Sequence, residues 1–135
     1  MKFLTLIIVG LFFLSCKEGT DSSRDKDVED ILNDGNWRLI ESEKPFDRFQ
    51  NGLKFSEDNQ VFNIDSQGQV VVPMHERLFS ISGDTLTFID YRYEERFIYS
   101  RGTDILLIEE ITSDRLVLNV IHPEGPNKLI LESIH

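Results

Sequence analysis

Phe79-Ser80-Ile81-Ser82-Gly83-Asp84-Thr85-Leu86-Thr87-Phe88 alternates apolar and polar residues on both sides of a Gly-Asp pair. Successive side chains of an extended chain point to opposite faces. Phe79 and Ile81 therefore share a face, and so do Leu86 and Phe88. A Gly-Asp pair between two such runs is a hairpin signal. This stretch predicts two antiparallel strands with one apolar side, and that sets the class of fold.

The same period of two recurs in both directions. Upstream, Trp37-Arg38-Leu39, Leu53-Lys54-Phe55 and Phe62-Asn63-Ile64 alternate, and Gln69 to Met74 is a Val-rich run. Downstream, Arg96 to Ser100 carries Phe97 and Tyr99. Leu116 to Ile121 follows the turn Thr112-Ser113-Asp114, and Lys128 to Ile134 follows the Pro/Gly loop His122 to Asn127. Asp104 to Ile111 fits a helix or a strand. Turns close both of its ends, which favours a strand with a bulge at Glu109-Glu110. The count is about eight to ten short strands, the spacing of a sandwich or barrel. Consecutive hairpins favour meander order, and closure removes exposed edges. The expected fold is all-β: a small antiparallel up-and-down meander barrel over residues 35–135.

Ahead of the barrel, Val28, Ile31 and Leu32 are spaced for one face of a short helix over Asp27 to Asn33. Asn33-Asp34-Gly35 ends it, with Gly35 suited to a left-handed cap. Lys17 to Lys26 is polar and reads as a tether. Residues 16–34 thus form a linking segment. Residues 1–15 read as a signal peptide, with Lys2 as its basic start, Phe3 to Leu14 as its apolar run and Ser15 as the small residue at the cut. A spanning helix needs roughly 17–25 apolar residues, and polarity begins at Lys17.

Cys16 is the only cysteine among 135 residues, so no disulfide can form within the chain. Phe13-Leu14-Ser15-Cys16 resembles the lipobox of bacterial lipoproteins, with Phe13 and Leu14 where the commonest pattern has Leu and a small residue. Looser lipoboxes of this form are similar to those of Bacteroidota-type bacteria. The resemblance implies cleavage before Cys16 and attachment of palmitate-type acyl chains to it. The membrane is then a partner through Cys16, in the cell envelope and most simply at the outer membrane, facing the periplasm or the cell surface. Lys17-Glu18 resembles in part the signal for surface display.

Several pieces together resemble the lipocalin-like domains of Bacteroidota lipoproteins. They are Gly35-Asn36-Trp37-Arg38-Leu39, Leu53 to Asn59, the Phe79–Leu86 hairpin, and Ile108 to Leu118. The resemblance covers Gly35 to about Ile134 and implies an up-and-down barrel that binds outside the cytoplasm. It carries over no binding residues beyond the structural Trp37.

The net charge of −10 disfavours nucleic acid and anionic headgroups. His75, His122 and His135 are scattered and lack metal spacing. Glu94-Glu95 and Glu109-Glu110 are neighbours that a strand would point apart. Asp21, Asp25 and Asp27 do not follow a calcium loop. No catalytic set and no cofactor or metal site is expected.

The binding candidates are Trp37, as the floor of a cavity or a packed plug, and Tyr91, Arg92, Tyr93 and Arg96. Tyr and Arg are favoured at hot spots, and Asp90 to Arg96 falls between two strands. Asp47-Arg48-Phe49 reads as a lid or a packed loop. The leading expectation is a non-enzymatic, lipid-anchored envelope protein that binds a small apolar or amphipathic ligand. The alternative is a protein-binding module, of the inhibitor or immunity type, that meets a basic partner through an acidic surface.

Overall fold

A computed structural model describes residues 20–46, 48–72, 76–94 and 97–134. Its elements are α1 (Thr20–Asn33), β1 (Asn36–Ser42), β2 (Gly52–Phe55), β3 (Val61–Asn63), β4 (Glu76–Ser82), β5 (Thr85–Glu94), β6 (Phe97–Ile111), β7 (Arg115–His122) and β8 (Asn127–Ile134).

The opening hairpin forms as its alternation predicts. Phe79 faces Phe88 and Ser82 faces Thr85 across a turn in which Gly83 has φ of 61°. Glycine reaches that region without a Cβ penalty. The strands run in the order β3-β2-β1-β8-β7-β6-β5-β4, with every pairing antiparallel. That order is a meander whose first and last strands meet. The remaining seam, between β3 and β4, is bridged at Gln60 and Leu78, and the Phe79 N–H donates to the Asn59 carbonyl at 2.8 Å. Side chains continue the seam, from Gln60 Nε2 to Glu76 Oε1 at 2.9 Å and from Arg77 Nη1 to Asn63 Oδ1 at 3.2 Å. The described residues form a nearly closed eight-stranded meander barrel preceded by one helix, the expected fold class.

Four local expectations meet the structure differently. Arg96 to Ser100 and Asp104 to Ile111 do not form two strands, because one continuous β6 runs from Phe97 to Ile111. β5 extends alongside it to Glu94, so its backbone groups are paired throughout the apparent turn. The irregularity there is a bulge: Asp90 faces Gly102 while Tyr91 faces Ser100, leaving Arg101 as the extra residue. The bulge expected at Glu109-Glu110 is present, since pairing passes from Ile108–Leu118 to Glu110–Val117. Both glutamates stay at the surface. Glu109 meets Lys128 at 3.1 Å and Glu110 meets Arg115 at 3.4 Å.

The Val-rich run is not a strand. Val70 makes an isolated bridge with Ile64, and Val72 is 86% exposed. Asp65 Oδ1 accepts from the N–H groups of Gln67 and Gln69 and builds a tight turn. Beyond that turn the Val71 N–H donates to the Asn63 carbonyl at 2.8 Å, and with the Val70 bridge this contact with the end of β3 is too short to make a strand. Val72→Asp is therefore expected to change unfolding free energy by no more than about 0.5 kcal/mol, as read by urea denaturation.

The helix begins at Thr20 rather than Asp27, so much of the expected tether is helical. No Gly or Pro interrupts Thr20 to Asn33. The β4–β5 turn holds its first half: Arg24 Nη2 lies 2.7 Å from Asp84 Oδ1, and the Gly83 N–H donates to Asp25 Oδ1 at 3.1 Å. Gly35 is not left-handed. A Cβ there would sit 2.5 Å from Ser133 Oγ, which a rotation of the serine side chain would relieve.

α1 covers one end of the barrel. Leu32 is fully buried, and Trp37 Nε1 donates to its carbonyl at 3.0 Å. Aromatic side chains fill the space beyond. Phe55 packs edge-on to Phe79 at 5.0 Å and tilted against Phe88 at 6.0 Å. Phe49 meets Phe88 at 6.4 Å and Phe46 at 4.6 Å. This is a packed core rather than a shaft.

Candidate functional site: the barrel mouth

The end away from α1 is formed by the loop between β1 and β2, the loop between β7 and β8, and the far end of the β5–β6 hairpin. The β1–β2 loop folds inward. Phe49 is buried against Phe88, so Arg48-Phe49 packs into the mouth; Asp47 lies outside the described residues. Two asparagine side chains hold the backbone of this loop. The Lys44 N–H donates to Asn127 Oδ1 at 3.0 Å, Asn127 Nδ2 donates to the Lys44 carbonyl at 3.3 Å, and Asn63 Nδ2 donates to the Arg48 carbonyl at 3.0 Å. Asn127 is only 2% exposed, so its amide is committed to the loop.

A charged layer lies just above the aromatic core. Asp104 shares strand parity with Leu106 and Ile108, Asp90 with Leu86 and Phe88, and Arg77 with Phe79. All three therefore belong to inward-facing rows. Arg77 Nε meets Asp90 Oδ1 at 2.6 Å across β4 and β5. Arg48 Nη1 pairs with Asp104 Oδ1, whose side chain is nearly buried. Burial pushes the Asp104 carboxyl above the usual carboxylate value; the charges of Arg48 and Arg77 work against that rise, and Asp90 adds to it.

Beside this layer opens a pocket of about 600 Å³. It is lined by Lys44, Pro45, Phe46, Arg48, Val120, Pro123, Glu124, Gly125 and Asn127. Val120 is buried at its floor, and Phe46 is half-buried. The volume is that of a small-molecule site. Lys44 is exposed and makes no ion pair among the described residues.

The candidates from the sequence are spread out. Trp37 is fully buried beneath α1, at the other end of β1 from the mouth, with its N–H engaged. Tyr91, Arg92 and Tyr93 continue β5 toward the mouth as backbone, paired with Ser100, Tyr99 and Ile98. Arg96 and Cys16 lie outside the described residues, as do His75 and His135. His122 is exposed. No group of three or more His, Cys, Asp or Glu suited to a metal occurs among the described residues. None of their helices is long and apolar enough to cross a membrane.

Sequence reasoning missed Lys44, Asp104 and Arg77, and named Asp90 and Arg48 only as parts of the segments Asp90 to Arg96 and Asp47-Arg48-Phe49. Counting by twos, back from Phe79 and Leu106 and forward from Phe88, would have placed Arg77, Asp104 and Asp90 on the inward face. No protein-family model, curated protein or solved structure matches the chain. The fold and the mouth define its class: a small meander barrel, closed by a helix at one end and holding a pocket at the other.

Proposed function

We propose that this protein is a non-enzymatic, lipid-anchored envelope protein with a lipocalin-like barrel that binds a small amphipathic molecule at its mouth. The observation that carries the reading is the pocket of about 600 Å³ between the β1–β2 and β7–β8 loops, which sets apolar Phe46 and Val120 beside cationic Lys44 and Arg48. The interior below is filled by Phe49, Phe55 and Phe88, each at most 1% exposed. The ligand therefore sits at the rim. Anchoring at Cys16 fits the same geometry. Four residue steps to Thr20 reach at most roughly 14 Å, which holds the helix end near the bilayer and turns the mouth toward water.

A second reading draws on the helix end. Glu29, Asp30, Asp34 and Glu57 line an acidic groove there, which suits the protein-binding alternative with a basic partner.

Native mass spectrometry on the protein extracted from its own envelope tests both parts of the proposal. The expected result is a chain cut before Cys16, with covalent acyl mass on it and a second mass that collisional activation releases. A full-length, unacylated chain sinks the anchor. A chain that stays bare after incubation with small amphipaths sinks the ligand and turns the search toward protein partners.

A further inference from the structure

We infer that the mouth pocket selects an anionic head on a short apolar body, with the head held between Lys44 and Arg48. The inference rests on the small-ligand reading above and names the class of ligand.

The charges lining the pocket run against those of the whole chain. The protein carries a net charge of −10, yet among the described residues of the lining Lys44 and Arg48 stand with one acid, Glu124. Lys44 has no ionic partner among the described residues, and Asn127 holds its backbone from both sides. Its ammonium therefore stands on a fixed support. Arg48 gives Nη1 to Asp104 inside the barrel, while its side chain stays 35% exposed. A guanidinium has five N–H donors, so one ion pair leaves others for a ligand. A neutral ligand would strip water from these cations and return nothing. A carboxylate or phosphate replaces that water with charge-assisted hydrogen bonds. A cationic head would be repelled.

The body must be apolar and short. Phe46, Pro45 and Pro123 offer ring surfaces over the buried Val120. A long chain cannot thread deeper, because Phe49 and Phe88 close the way beneath.

The test uses the full chain in nanodiscs, with empty nanodiscs subtracted and the Val120 methyl NMR signals as the local readout. Octanoate, octyl phosphate, octan-1-ol and octylammonium are titrated in turn. Octanoate or octyl phosphate should shift Val120 saturably and bind about 10-fold tighter than octan-1-ol. The tighter of the two identifies the head as carboxylate or phosphate. Lys44→Gln should weaken that binding about 10-fold and leave octan-1-ol unchanged. Lys44 is exposed, so the variant keeps the fold. Equal binding of octanoate and octan-1-ol, with Lys44→Gln silent, overturns the anionic head and leaves the small-ligand reading standing. No Val120 shift with any of the four overturns both.

Discussion

Trp37→Ala is expected to lower the unfolding free energy by about 3–5 kcal/mol, the range for deleting a large buried aromatic side chain. Two losses add here. Trp37 is fully buried among the core residues that join α1 to the barrel, so its removal leaves a cavity where the helix meets the sheet. Its indole N–H also caps the Leu32 carbonyl at 3.0 Å, near the helix C-terminus. Orphaning that buried acceptor costs about 1–3 kcal/mol within the total. Trp37→Phe separates the two effects, because it keeps much of the volume and removes the donor, and should cost about 1–3 kcal/mol. Urea denaturation followed by far-UV circular dichroism measures both variants, since the chain has a single Trp and its fluorescence is lost. A Trp37→Ala loss under about 1 kcal/mol would mean that α1 does not depend on this contact. Octanoate binding at the mouth should survive in Trp37→Phe, because the site lies at the opposite end.

The hairpin, the meander and the Glu109 bulge were legible because each rests on local alternation and nearby turns. Asn33-Asp34-Gly35 likewise marked the helix end. The helix start was not legible, because Arg24 and Asp25 are held by Asp84 and Gly83, far along the chain. Arg101-Gly102-Thr103 reads as a turn in isolation and becomes part of β6 only when β5 runs beside it. Val70 to Val72 reads as a strand by composition, yet its pairing depends on how far β3 continues. The mouth was half legible. Strand parity alone places Arg77, Asp90 and Asp104 inward. The pocket around Lys44 instead requires β1 to pair with β8, which brings the β1–β2 loop onto Asn127. A loop residue such as Arg48 has no parity at all, so only the folded loop brings it to Asp104.

Arg48→Met should cost about 2–3 kcal/mol near neutral pH, and much less near pH 4. Removing one partner of a buried ion pair typically costs about 3–5 kcal/mol; the lower figure allows for the guanidinium's one-third exposure to solvent, which screens it. The pH dependence has a definite sign. Burial holds the folded Asp104 carboxyl above its ordinary value. As pH rises through that ordinary value, the unfolded chain gives up its proton while the folded chain keeps it. The folded state then binds more protons, so stability falls until the folded value is passed. Above it, the full cost of a buried carboxylate is present. Arg48 limits that cost in the native protein, and its loss raises the Asp104 value further. The deficit of Arg48→Met should therefore grow from about pH 4 to about pH 7. Adding Asp104→Asn should flatten most of that growth, since no charge remains to be buried. Urea midpoints at the two pH values measure this, and an equal deficit at both would mean that Asp104 is not what Arg48 holds. The residue also links stability to binding. Arg48 lies next to Phe49, which plugs the barrel, and it lines the pocket. A ligand anion on its free N–H groups would therefore bear on the same loop that Asp104 anchors from inside.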